Sequence, residues 1–275
     1  MAYATGTAAT PDQMLDALRA FAALQGWTVD RWAADGSGMT LSIHIASFYA
    51  HFRSDPYDEG SGWSTAMEFY GSTGFDSGST WDAQPGCFPY PLTCTAQPNG
   101  NSLFPCTYHL FAQASPRYLA GCFISPNQAN THFIVCDTQK VGAWTGGAFF
   151  GGDQFLYQPY GAGSTPYIGS VALRADFNGS GQWHGAQGNR TISLFGFDPV
   201  TNAFNGLAPL LPARLAINSP INDSTPAIVG FLPHIRLVDM EAIGNGNLLT
   251  LGPDTWQCFF PISRVNNSAG IAYLR

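Results

Sequence analysis

The chain has 275 residues; only 11% are charged and 14% are aromatic, and it carries 31 glycines and 19 prolines. A typical globular protein is about 25% charged, and average usage would give about 33 glycines and prolines together at this length. These values exclude helical bundles and coiled coils, which need Lys/Glu-rich faces and few backbone breakers, and they exclude disorder, which is poor in aromatics. The formal net charge is −7, with 11 Lys and Arg and no basic run. A nucleic-acid binder needs a cationic stripe against phosphates, so no nucleic-acid partner is expected, and an anionic membrane surface is disfavoured for the same reason. Apolar runs such as 192–197 are strand-length, too short to span a bilayer as a helix.

The expected fold class is mainly β: an α+β N-terminal module with one clear helix over 1–71, a long Gly/Pro/Cys/aromatic loop over 72–106, and a sandwich or barrel-like β domain with long loops over 107–275. The opening octet, Met1 to Ala8, has neither a positive nor an apolar stretch, so it does not read as a secretory signal. Thr10-Pro11-Asp12-Gln13 has the spacing of a capping box, with Thr10 as N-cap and Pro11 in the first turn. Met14, Leu15, Leu18, Phe21 and Ala22 follow at helical spacing, and Gly26 supplies the stop. Residues 27–33 then read as a strand and Asp35 to Gly38 as a turn. Alternating runs over 41–46 and 48–53 read as two more strands, with His44 and His51 on an exposed face.

Residues 72–106 carry no clear strand and read as one long excursion, a length usually kept for binding or interaction surfaces. From Tyr108 onward, short β-like runs alternate with Gly/Pro/Asn turns, at 108–114, 118–124, 131–137, 153–158, 168–177, 191–197, 213–217, 227–239, 247–251 and 255–263. The six cysteines, at 87, 94, 106, 122, 136 and 258, include no Cys-x-x-Cys pair, so no metal site is expected. With no signal segment, reduced thiols are expected in preference to bridges.

Catalytic signals are weak. No Gly-x-Ser-x-Gly elbow and no P-loop occurs. Asp55, Asp58, Glu59, Glu68, Asp76 and Asp82 could supply a glycosidase pair, but beside Gly, Pro and Ser they read first as turn formers. The loop from Asp55 to Gly60 lacks the spacing of a calcium-binding EF-hand. No catalytic residue, metal or cofactor is assigned.

Aromatic residues carry more information. Trp63, Phe69, Tyr70, Phe75, Trp81, Phe88 and Tyr90 cluster in and before the excursion. They read either as anchors of that loop, as a sugar-stacking platform, or as a protein–protein contact. The candidate interaction surface is therefore Trp63, Tyr70, Phe75, Trp81, Phe88 and Tyr90, together with Met1 and Tyr3 of the opening octet, which neighbouring subunits are expected to hold.

Several short motifs occur in an order that resembles a family of uncharacterised virion proteins of tailed bacteriophages. They are the opening Met1 to Ala8 with its capped helix, Gly26-Trp27-Thr28-Val29, Gly71 to Phe75, Trp81 to Gly86, Trp144-Thr145-Gly146-Gly147, Phe204-Asn205-Gly206, Gly230 with Arg236 to Met240, Gly252 with Thr255-Trp256, Phe260-Pro261 and Ala272-Tyr273. Residues 117–138 depart from that pattern and carry extra cysteines. The resemblance implies a non-enzymatic, multi-copy structural protein of the tail, neck or baseplate, assembled without a signal segment and partnered by copies of itself and other virion proteins. Capsid decoration is a variant of that role. A carbohydrate-binding receptor module, with Trp63 and Trp81 stacking on a glycan, is the alternative.

Overall fold

A computed structural model describes residues 1–36, 38–54, 64–96, 103–126, 130–152, 170–176, 183–185, 192–195, 210–217, 227–240, 243–260 and 269–275. In chain order these give β1 (Ala2–Ala8), α1 (Pro11–Leu24), β2 (Thr28–Asp35), β3 (Gly38–Ile45), β4 (Phe48–Ser54), β5 (Ser64–Ser72) and β6 (Leu92–Ala96). Next come β7 (Cys106–Gln113), β8 (Tyr118–Ile124), β9 (Asn130–Asp137), β10 (Gln139–Lys140), β11 (Thr145–Gly152), β12 (Ser170–Asp176) and β13 (Trp183–Gly185). The chain closes with β14 (Ile192–Phe195), β15 (Leu210–Ile217), β16 (Ala227–Asp239), β17 (Leu248–Leu251), β18 (Asp254–Phe259) and β19 (Ala269–Leu274). Among the described residues the fold is mainly β with one helix, as the composition leads one to expect.

The strands make three antiparallel sheets. A seven-stranded sheet runs β1-β7-β8-β9-β11-β12-β13, a five-stranded sheet runs β2-β3-β4-β5-β6, and a third runs β14-β15-β16-β19-β18-β17 with β10 added on β16. Side chains on successive residues of a strand point to opposite faces, and the two cores divide along that alternation. On β8 and β9, Leu119, Phe123, Phe133 and Val135 join the core shared with the five-stranded sheet and α1. Tyr118, Ala120, Cys122, Ile134 and Cys136 join the core shared with the third sheet. The seven-stranded sheet is thus the middle layer of three, and β8 and β9 are apolar on both faces because both faces are covered.

Helix α1 forms as its caps dictate. Thr10 Oγ1 accepts from the Gln13 backbone N–H at 3.2 Å, while Gln13 Oε1 accepts from the Ala9 N–H at 2.8 Å. Met14, Leu15, Leu18, Phe21 and Ala22 make its buried stripe, and Gly26 turns the chain with φ +86°. The N-terminal octet, however, is a strand. It pairs with β7 from Ala2↔Ala112 to Ala8↔Cys106, so residues 1–71 do not stand apart as a module. The span 72–106 likewise contains β6, which completes the five-stranded sheet against β5. β11 (Thr145–Gly152) falls between the β-like runs read at 131–137 and 153–158 and is not among them. The run at 153–158 lies outside the described residues.

Candidate functional site

Between β5 and β6 the chain folds over the outer face of the five-stranded sheet. Arg31, on β2, donates one guanidinium nitrogen to the carbonyls of Asp76, Ser77 and Ser79 at 3.3, 3.0 and 2.7 Å, and its guanidinium lies 5.2 Å from the Phe75 ring centre. Gln84 ties the same turn from inside. Its amide nitrogen donates to the carbonyls of Asp76, Ser79 and Thr80, and its oxygen accepts from the Asp76 N–H at 2.7 Å. Asp76 caps its own turn by accepting from Ser79 Oγ at 2.7 Å and the Gly78 N–H at 3.0 Å, bonds that hold its carboxyl below the usual range. That is the work of a turn former.

The aromatics of this segment face inward. Tyr70, Trp81 and Phe88 are only 7, 6 and 3% exposed. Trp81 meets Tyr70 edge-on at 5.1 Å, Tyr70 meets Phe88 at 5.4 Å, and Phe88 meets Phe150 and Trp183 at 5.7 and 5.1 Å. These three residues anchor the excursion and offer no free ring face. Burial, with the nearby Asp82 second, pushes the Tyr70 hydroxyl up to about 12. Phe75 is half-buried under Arg31, Tyr90 is 47% exposed, and Trp63 lies outside the described residues, as do Asp55, Asp58 and Glu59.

Beneath the excursion sits a polar layer that alternation misplaces. His51 was expected on an exposed face; it is fully buried. Its Nδ1 lies 2.9 Å from Ser42 Oγ and its Nε2 lies 2.7 Å from Ser72 Oγ. The Ser72 hydroxyl donates to the Gly74 carbonyl at 2.7 Å, so it accepts from Nε2–H, and Nδ1 accepts from Ser42. The ring is a neutral bridge. Burial, and secondarily Arg31, lowers its pKa to about 3.

The remaining histidines are held apart from one another. His44 Nδ1 lies 2.7 Å from Asp30, and His109 Nδ1 lies 2.8 Å from the Tyr3 hydroxyl. His132 Nδ1 accepts from the Tyr273 hydroxyl and its Nε2 donates to the Phe260 carbonyl. His132 and Cys136 share a strand face without forming a chelate, and among the described residues no three His, Cys, Asp or Glu side chains come together to hold a metal. All six cysteines are thiols rather than disulfides.

The N-terminal strand is the other part of the expected surface. Tyr3 packs on Phe111 at 5.3 Å, and Arg275 lies 4.0 Å above its ring centre, so the chain's own C-terminal residue and β7 hold it. Met1 is exposed. Thr5 and Thr7 face solvent, Thr5 Oγ1 donates to the Tyr108 carbonyl at 2.8 Å, and the Tyr108 ring covers Gly6, its cross-strand partner. On its far side β1 has no strand partner among the described residues. Its sequence, Ala-Tyr-Ala-Thr-Gly-Thr-Ala, contains none of the lysines, prolines or bulges that usually block an open edge. No protein-family model matches the chain, and no curated protein matches it in sequence.

Proposed function

We propose that this chain is a non-enzymatic structural component of a tailed-phage particle, present in several copies on the tail, neck or baseplate and working through protein–protein contacts. The observation that carries the reading is β1: an uncharged, seven-residue edge strand whose outer backbone groups have no strand partner among the described residues. Such an edge is a template for pairing with another chain. Read antiparallel about Thr5, the strand sets Ala2 against Ala8, Tyr3 against Thr7 and Ala4 against Gly6, so a second copy meets it without steric bulk or like charge. The low charge content supports the same reading, since neutral surface is comfortable when covered by other subunits. The glycan alternative draws less support, because Trp81 is spent inside the fold.

Analytical ultracentrifugation of the full chain over a range of concentrations tests this. Reversible self-association is expected, and Thr5→Lys, which places a charge on the edge, should weaken it. A protein that stays a 29.5 kDa monomer at the highest concentrations would overturn the proposal.

A further inference from the structure

Where the tip of the β3–β4 hairpin meets the middle sheet, the regular pairing on both sides gives way to a cavity of about 200 Å3. A single water needs only about 10–15 Å3 on the same scale, and drug-sized ligands occupy pockets of about 300 Å3 or more. The space suits a small metabolite. The lining residue Ser47 shares a two-residue hairpin turn with Ala46, which takes the positive φ, +53°, that such turns favour. Across the cavity, β11 bulges between Gly146 and Ala148, with Gly146 at φ +90° and Gly147 at φ +117°. A side chain at Gly146 would collide with the Arg174 carbonyl, so the bulge requires glycine there.

The charges on these walls are not matched to one another. Arg117 is spent: Nε and one terminal nitrogen fork onto Asp137 at 2.9 and 2.6 Å, with the guanidinium 5.0 Å from the Phe48 ring centre. Arg174 and Asp176 both line the cavity, two residues apart on one face of β12, yet they form no ion pair among the described residues. Asp176 Oδ1 is buried with no hydrogen-bond partner. A buried carboxylate oxygen left without a donor is costly. Arg174 and Asp176 thus border the same space without pairing with each other, beside Phe48 and Ala148, although the orphan Oδ1 itself is sealed from it and leaves Oδ2 as the oxygen a ligand can reach.

We infer that this cavity binds a small zwitterion of the α-amino-acid class, its ammonium donating to Asp176 and its carboxylate accepting from Arg174. A simple anion would be repelled by Asp176 and a simple cation by Arg174, whereas a ligand carrying both charges on one carbon satisfies both walls. Residues two apart on a strand are separated by about 6.8 Å, room for such a group with a hydrogen bond at each end. The apolar side, Phe48 and Ala148, takes a small uncharged side chain. This site is independent of the edge strand and of the virion reading.

Calorimetric titration of the full chain with free L-amino acids, then with their N-acetyl and methyl-ester forms, tests the inference. At least one free amino acid with a small neutral side chain should bind one-to-one. Blocking either charge of that ligand should weaken binding at least about tenfold, the usual scale for a lost charge-assisted hydrogen bond. Asp176→Asn and Arg174→Gln should do the same, with unchanged circular dichroism. Absence of binding by every amino acid at about 10 mM, a level that would reveal even millimolar affinity, would overturn it. Equal binding of the blocked forms would overturn it too, and that comparison uses the unmodified protein, so it decides the matter even if a variant misfolds.

Discussion

His51 Nε2 lies 2.7 Å from Ser72 Oγ, and this buried bond fastens β4 to the point where the chain leaves β5 for its long excursion. The imidazole can serve there only while neutral. Burial first and Arg31 second lower its pKa to about 3, against 6.5 in the unfolded chain. The unfolded state therefore takes up a proton in a window where the folded state does not. The stability from this neutral ring is fully present above pH 6.5 and is lost as pH falls from 6.5 to about 3. His109 and His234, lowered to about 4 chiefly by burial, act in the same direction. Urea denaturation at pH 7 and pH 4.5 should show a marked loss of stability, at most about 1.4 kcal/mol per pH unit from His51. His51→Gln should flatten that slope; an unchanged slope would contradict the assignment.

Trp81 closes the excursion over the sheet, packed on Tyr70 with the Arg53 guanidinium 5.9 Å from its ring centre. Replacing it by alanine opens a cavity under the loop. Trp81→Ala should cost about 3–5 kcal/mol in urea or guanidinium denaturation. A loss below about 1 kcal/mol, the range of surface substitutions, would mean that the ring is not an anchor.

The Gly6 and Tyr108 pair should couple. A methyl at Gly6 would run into the Tyr108 phenol, so Gly6→Ala should destabilise by about 1–3 kcal/mol. In a Tyr108→Ala background the same change should cost much less. A coupling energy of at least about 0.5 kcal/mol in the double-mutant cycle is expected, and additivity would show that the two do not touch.

Thiol reactivity should be sparse. Burial pushes Cys87 up to about 11 and both Cys106 and Cys258 up to about 12; buried Cys136 is raised as well. Thiolate is the reactive form. Cys87, the half-buried member, should react first and slowly with a disulfide reagent at neutral pH, and the others should appear only on denaturation. Rapid titration of several thiols in the native protein would contradict this packing.

The helix could be read from the chain because cap, stripe and stop lie within seventeen residues of one another and need no distant partner. β8 and β9 were readable as apolar runs, though only the three-layer arrangement explains why both of their faces are apolar. What escaped was what depends on contacts remote in sequence. β1 is a short, Gly-containing run whose pairing with β7 leaves no local trace. His51 alternates with Phe52 as a solvent-facing residue would, and only the excursion, arriving from 73–88, buries it. The same cover turns Tyr70, Trp81 and Phe88 inward. The cavity beside Arg174 could not be read at all, since its walls come from β4, β11, β12 and the turn before β8.

The pairing of β1 with β7 also sets an order of events during synthesis. β1 leaves the ribosome about a hundred residues ahead of Cys106–Gln113, the segment that must hydrogen-bond to it, its paired residues lying 98 to 110 positions apart. Until then its backbone is satisfied by water, while α1 and the β2–β5 hairpins, whose partners are neighbours in sequence, can already assemble. β1 therefore enters the middle layer only once β7 has been made, and a nascent chain stalled before residue 106 carries it as a loose thread.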